Sequence, residues 1–435
     1  MIASLRTTLA TASGRHQLCR RIIAGSGLIL IAATWRLWFS SGEFPQVPFF
    51  EFACWTPQWV DWTLSGLLIV ALVVMLVTRI DTKPNIVSGI IMIAALVALI
   101  ILNQHRLQPW AWFLILATIA TSARADYALS AMCWLLFGVY FFSGLSKLDP
   151  HFLGGGGAWL LDGLLKPFGS STTTLRPGGM EVLLWTMPVG EIVTAFCVLI
   201  PRFRFVGFFL VVAMHGTLVM ALGPFGLDHK PGVLLWNGTF QLLALPLLWK
   251  PISVREKLER CVRSRFLKTA VLAAAVGLPC FGTRWAPIID QWPSWSVYAT
   301  WYQPMAVTIS SAGYETPGFQ PLQEHLAFSF VFKSGGGVVL ASRYLELDRW
   351  SLAATGAPIF PQDRFQLGVF RALPQPGQSA RMSISVGGLR TPQDGSRFIG
   401  KLSGHAIDDY ANQFWFNTRP RPWTLNKTRP DQSTN

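Results

Sequence analysis

The chain has 435 residues, 51% of them hydrophobic and only 13% charged, with 19 Trp and 30 Phe; a soluble protein carries roughly twice that share of charge, so a soluble globular protein is excluded. The net charge of +14 does not signal nucleic acid, because the basic residues gather in short loops between apolar runs, as the positive-inside rule predicts. The six cysteines, Cys19, Cys54, Cys133, Cys197, Cys261 and Cys280, form no CxxC and none follows Cys280. That argues against metal or dithiol chemistry on cysteine, and an exported C-terminal domain would have to fold without disulfides.

Apolar runs of the ~20 residues needed to cross the ~30 Å hydrocarbon core recur through the first two thirds of the chain. The run after Arg20 and Arg21 continues to about Phe39 with no small-residue cleavage site, so it reads as a retained first span rather than a signal peptide. The predicted spans are 22-39, 63-78, 85-102, 108-121, 127-146, 181-200, 205-222, 232-249 and 269-288. Sixteen lysines and arginines fall in the segments on the side of the N-terminus, and five in the opposite loops before the last span. This bias places the N-terminus in the cytoplasm and the C-terminus outside, as expected of an inner-membrane protein.

Two outside loops stand out. Ser41 to Trp62 holds Phe44, Phe49, Phe50, Phe52, Trp55, Trp59 and Trp62, the composition of a segment at headgroup level that caps the bundle from outside. The second, Phe141 to Pro167, reads FFSGLSKLDPHFLGGGGAWLLDGLLKP and delivers Lys147, two aspartates and a histidine to the membrane surface. Its four glycines, Gly154 to Gly157, are expected to break any helix and act as a hinge; no preceding strand or following Gly-Lys-Ser/Thr supports a phosphate loop. Ala158 to Leu165 then resumes as an apolar segment too short to span, which fits an interfacial or re-entrant helix.

From about Asp290 the polarity becomes ordinary. Short alternating runs at Met305-Ser310, Leu326-Lys333, Val338-Leu347, Phe365-Ala372 and Ala380-Val386 are separated by Gly/Pro/Gln-rich turns such as Gly313-Pro321 and Pro374-Ser379, the pattern of an all-β unit. The fold class is therefore a polytopic α-helical membrane protein of about nine spans with a C-terminal all-β extracytoplasmic domain. Residues 1-289 form the bundle, 290-417 the β-rich domain, and 418-435 a Pro- and Arg-rich disordered tail.

An ionisable group inside a span is costly unless paired or wetted, and so points to function. Lys147 ends the fifth span, Glu191 lies mid-way in the sixth and His215 in the outer half of the seventh. A desolvated lysine can act as a base, a histidine can relay protons, and a Glu191 to His215 pair would hold one tautomer. The alternatives are a snorkelling lysine and interhelical hydrogen bonds that hold the bundle together. Arg36 reads as an interface anchor. Asp149, His151, Asp162, Asp228 and His229 lie in outside loops at spacings that match no ligand pattern, so no metal is expected. No GxSxG supports a nucleophilic serine.

Tyr140 to Leu148, YFFSGLSKL, resembles the aromatic-small-Gly-Leu-Ser/Ala-Lys-Leu signature of two groups of membrane proteins. These are the horizontally transferred transmembrane domain family (HTTM), which includes vitamin K-dependent gamma-carboxylases, and the DoxX/MauE proteins. Gly190-Glu191, Pro201 to Arg204 and Met214-His215 look like the later part of the same core, so that the resemblance covers about Tyr127 to Trp249. It implies a lysine base toward a quinone at Lys147, an active site on the outer side and a β-rich outer domain. The Asp-Pro-His and four-glycine insertion after Lys147 departs from the carboxylase pattern.

Two functions follow. One is a membrane protein that acts on a quinone-like or lipid-like molecule, with catalytic residues Lys147, His215 and Glu191 and a quinone as the candidate cofactor. The other is a non-catalytic scaffold whose outer domain binds an exported protein. The bilayer is a partner under both, and nucleic acid under neither.

Overall fold

The computed structural model describes residues 7-40, 42-149, 152-249, 262-283, 286-287, 289-297 and 305-310, and of the remainder 322, 326-328, 332-333, 339-340, 342-374, 382-387 and 399-422. His151, the turn at Gly313-Pro321, most of that at Pro374-Ser379 and residues 423-435 of the expected tail lie outside the described residues. Among the described residues, seven helices are long and apolar enough to cross a membrane. By contact the chain divides into two compact units, one of Met1–Ala33, Leu64–Val97 and Leu107–Trp301, the other of Thr34–Thr63, Ala98–Arg106 and Tyr302–Asn435.

In chain order the helices are α1 Ala12–Ala33, α2 Gln58–Val77, α3 Lys83–Leu102, α4 Pro109–Thr121, α5 Ala125–Ser146, α6 Ala158–Leu165, α7 Pro177–Leu199, α8 Arg204–Leu222, α9 Pro231–Leu248 and α10 Val262–Leu272. The seven span-capable helices are α2, α3, α5, α7, α8 (with the preceding turn from Pro201), α9 and α10 with its continuation to Phe281. The other two expected spans differ in character. The 13 residues of α4 rise only about 20 Å, and α1 buries Arg15, His16 and Arg20. Arg20 is 1% exposed and donates to Asn85 Oδ1 (3.2 Å), Thr118 O (3.0 Å) and Thr121 Oγ1 (2.9 Å). All its acceptors are neutral; Thr118 and Thr121 end α4, where the partial negative charge of a helix C-terminus offsets a buried cation.

The four glycines do not break the chain's helix. Leu153–Gly157 is a π-helical turn that runs straight into α6. A Cβ on Gly157 would lie 2.9 Å from the Phe152 ring, and that ring is fully buried against Leu160 and Leu222. The hinge expected here is thus a packed turn.

α5 packs most extensively on α7, and Gly144 is the reason they approach so closely. A Cβ there would meet Pro188 O at 2.7 Å, Ile192 Cγ1 at 2.8 Å and Glu191 Cβ at 3.1 Å. Two of these atoms cannot rotate away, so Gly144→Ala should cost about 1–3 kcal/mol through overpacking. The thermal midpoint of the detergent-purified protein checks this, and an unchanged midpoint refutes the close packing.

In the second unit, β1 Ala306–Ser310, β2 Leu326–Phe328, β3 Ser342–Glu346, β4 Met382–Gly387 and β5 Ile399–Leu402 form an antiparallel sheet in the order β2-β3-β1-β4-β5. α11 Leu347–Thr355, α12 Asp363–Ala372 and α13 His405–Ala411 accompany it, so this part is mixed α and β rather than all-β. The expected strand at Phe365-Ala372 is α12, almost all of it buried; Phe365, Leu367 and Val369 alternate with Gln366 and Gly368, and over so few residues that alternation does not separate a strand from a helix. Val47, Trp38, Trp350, Phe360 and Phe365 are buried in this unit.

Segments 46–49 and 417–421 run beside each other, joined by Asn417 N to Phe49 O (3.0 Å) and Arg421 N to Gln46 O (2.8 Å). Residues 418–422, expected to open a disordered tail, are therefore held in place. The anchor is Asp61, wholly buried, whose carboxylate accepts from Arg106 on one oxygen and from Arg421 at 2.7 Å on the other. Arg106 also donates to Leu37 O, and Arg421 to Thr56 O.

His105 is buried in the same unit, with Nε2 at 2.9 Å from Pro358 O and 3.1 Å from Ser351 Oγ. Burial, only partly opposed by the Pro358 hydrogen bond and reinforced by Arg106, pushes its pKa down to about 4, against ~6.5 in the unfolded chain. Between those values the unfolded state binds a proton that the folded state refuses, so stability falls as pH drops from 6.5 to 4, by about 3 kcal/mol in all. Unfolding followed across that window should show the loss in the wild type and a shallower dependence in His105→Gln; equal slopes would contradict the assignment.

Candidate functional site

Tyr140, Ser143 and Lys147 recur at three- and four-residue steps, which places them on one face of α5. Lys147 is the residue that caps the C-terminus of α5, where a cation is favoured by the helix dipole. On α7 the buried positions Leu184, Pro188, Ala195 and Val198 define a stripe that also contains Glu191. On α8 the buried Gly207, Val211, His215 and Leu222 do the same for the histidine, and Asn237 is buried on α9.

These elements bring the three predicted residues to one site in the first unit, but in different pairs from those expected. Lys147 Nζ lies 2.9 Å from each carboxylate oxygen of Glu191 and donates to the carbonyl and hydroxyl oxygens of Ser143 as well. The side chains are 4% and 13% exposed, so this is a desolvated ion pair and not a snorkelling lysine. The carboxylate that was expected to orient His215 is thus engaged by Lys147.

His215 is oriented instead by Asn237. Its Nδ1 lies 2.7 Å from Asn237 Oδ1, and its Nε2 lies 3.0 Å from the Tyr140 hydroxyl. The imidazole stacks on Phe240 at 4.7 Å. The two pairs are neighbours along α5, because Tyr140 and Lys147 lie two turns apart on its one face. A lysine–carboxylate pair next to a phenol–imidazole pair can hold protons at defined atoms and exchange them with a bound molecule.

Arg36 belongs to the other unit and pairs with the half-exposed Glu43 at 3.1 Å. Asp162 accepts from the Thr172 amide at 2.7 Å, a turn-capping role. Tyr140, Ser143 and Asn237 were not singled out by sequence reasoning. The first two were signalled by their helical spacing from Lys147, and Asn237 by being an amide within an apolar run.

In comparisons with protein-family models, with curated proteins and with solved structures, nothing matches this chain.

Proposed function

We propose that the chain is a multispanning inner-membrane protein whose Lys147–Glu191 pair acts on a lipophilic, quinone-like or lipid-like substrate, with Lys147 as the base and His215 in support. The observation that carries this reading is a lysine ammonium held by both oxygens of a carboxylate among apolar helices, with a phenol–imidazole pair beside it. Desolvating two ions is costly, and a structural anchor needs neither of them. The pair owns one mobile proton: moving it from the ammonium to the carboxylate yields the neutral amine that acts as a base, without stranding a charge. The resemblance of Tyr140 to Leu148 to the HTTM and DoxX/MauE signature supports the same role for Lys147. The nine apolar runs of the sequence support about nine crossings, and the lysine and arginine bias supports an N-terminus in the cytoplasm and a C-terminus outside.

A second reading, a scaffold for an exported protein, is favoured by the exposed aromatic side chains of the second unit, with Phe52 76%, Trp55 79% and Trp415 101% exposed. Mass spectrometry of small molecules that co-purify in mild detergent separates the two. A quinone or lipid enriched over an unrelated membrane protein prepared alike is expected, and a chain that emerges without one favours the scaffold.

A further inference from the structure

The amide of Asn237 is committed in one direction. Its Nδ2 donates to Val233 O at 2.8 Å, one turn back on α9, so its Oδ1 is the atom that faces His215 Nδ1. A carbonyl oxygen only accepts, and Nδ1 must therefore carry the hydrogen. The neutral ring then offers Nε2 as an acceptor, and the group opposite it is the Tyr140 hydroxyl at 3.0 Å. Tyr140 is 2% exposed, His215 and Asn237 each 5%, so water does not compete for these bonds. The chain Val233–Asn237–His215–Tyr140 thus has a single polarity, each member donating to the one before it or accepting from the one after.

We propose that Asn237 is the positioning residue of this site: it holds His215 in the Nδ1–H tautomer, so that Nε2 receives the Tyr140 hydroxyl and the phenol–imidazole pair stands beside Lys147 and Glu191 as a second proton-holding unit. The role of that unit in turnover rests on the function proposed above, whereas the tautomer does not. Without Asn237, nothing described next to Nδ1 selects one tautomer. The imidazole would then also populate the Nε2–H form, in which Tyr140 can no longer donate to it. An aspartate at 237 has no N–H for Val233 O, but it keeps an acceptor opposite Nδ1, so Nδ1 still carries a hydrogen.

The test is 15N spectroscopy of the full chain, labelled on its seven histidines, in lipid nanodiscs, with the His215 signals identified by their loss in His215→Gln. The wild type should show one protonated Nδ1 and one hydrogen-bonded, unprotonated Nε2. Asn237→Leu should convert this to a mixture of tautomers or to the Nε2–H form, and Asn237→Asp, whose carboxylate still accepts from Nδ1, should retain the Nδ1–H signal. If Asn237→Leu does not fold, the wild-type spectrum and Asn237→Asp still decide the matter. A wild-type Nε2–H signal, or loss of the Nδ1–H signal in Asn237→Asp, overturns the proposal, as does an Asn237→Leu variant that keeps the single tautomer. Loss of the bound quinone or lipid expected above with the tautomer intact would count against the proposed function and leave the role of Asn237 standing.

Discussion

Asp61→Ala should destabilise the second unit by about 3–5 kcal/mol, the usual cost of removing one partner from a buried ion network. The mutation leaves two guanidiniums, Arg106 at 0% and Arg421 at 7% side-chain exposure, with only neutral acceptors. Their remaining bonds, to Leu37 O, Trp38 O and Leu99 O for Arg106 and to Thr56 O and Gln46 Oε1 for Arg421, satisfy geometry but not charge. Limited proteolysis with chymotrypsin provides the readout: cleavage after Phe416, next to the Asn417 amide that Phe49 O holds, should accelerate by two orders of magnitude or more, since each 1.4 kcal/mol is about tenfold in the open population. Asp61→Ala with wild-type proteolysis would show that the carboxylate is dispensable. The same network bears on the scaffold reading, because deleting residues 300-435 removes Arg421 and disturbs Asp61 together with any binding surface.

The second large effect concerns Lys147 and Glu191. Lys147→Met should cost about 3–5 kcal/mol, because it strands a buried carboxylate, and Glu191→Leu should cost as much by stranding the ammonium. The double variant should recover most of that loss, since well-packed apolar replacements of a buried pair are often neutral or stabilising. This separates the chemistry from the fold. A double variant that is stable and yet no longer retains or turns over the lipophilic substrate identifies the pair as functional. A double variant that behaves like the wild type in both respects leaves the pair a structural element. Thermal midpoints of the four proteins in one detergent, read as a double-mutant cycle, give the stability part.

How much of this was legible beforehand follows from the range over which each signal acts. The membrane helices were readable because length and apolarity are local: α2, α3, α5, α7, α8, α9 and the α10 segment coincide with expected spans. Lys147, Glu191 and His215 were conspicuous for a similar reason, as polar groups within or at the end of apolar runs. Their pairing was not legible, because depth along a helix says nothing about rotation about its axis. Glu191 and His215 lie at compatible depths, but the face shared with Leu184 and Pro188 turns Glu191 toward Gly144 and Lys147. The glycine run misled for a different reason: local propensity disfavours a helix there, and the packing of Phe152 against Leu160 and Leu222 prevails.

Composition and hydrophobic period were enough to establish a chain built for a bilayer, with a lysine, a carboxylate and a histidine held in or at the end of its apolar helices, because burial in lipid constrains every residue of a span individually. Tertiary packing alone decided that Lys147 binds Glu191, that Asn237 rather than a carboxylate sets His215, and that Asp61 joins Arg106 to Arg421 from the far end of the chain. Each of these contacts depends on which faces of separate segments meet, and a buried charge or amide takes whichever partner that meeting brings within hydrogen-bonding distance.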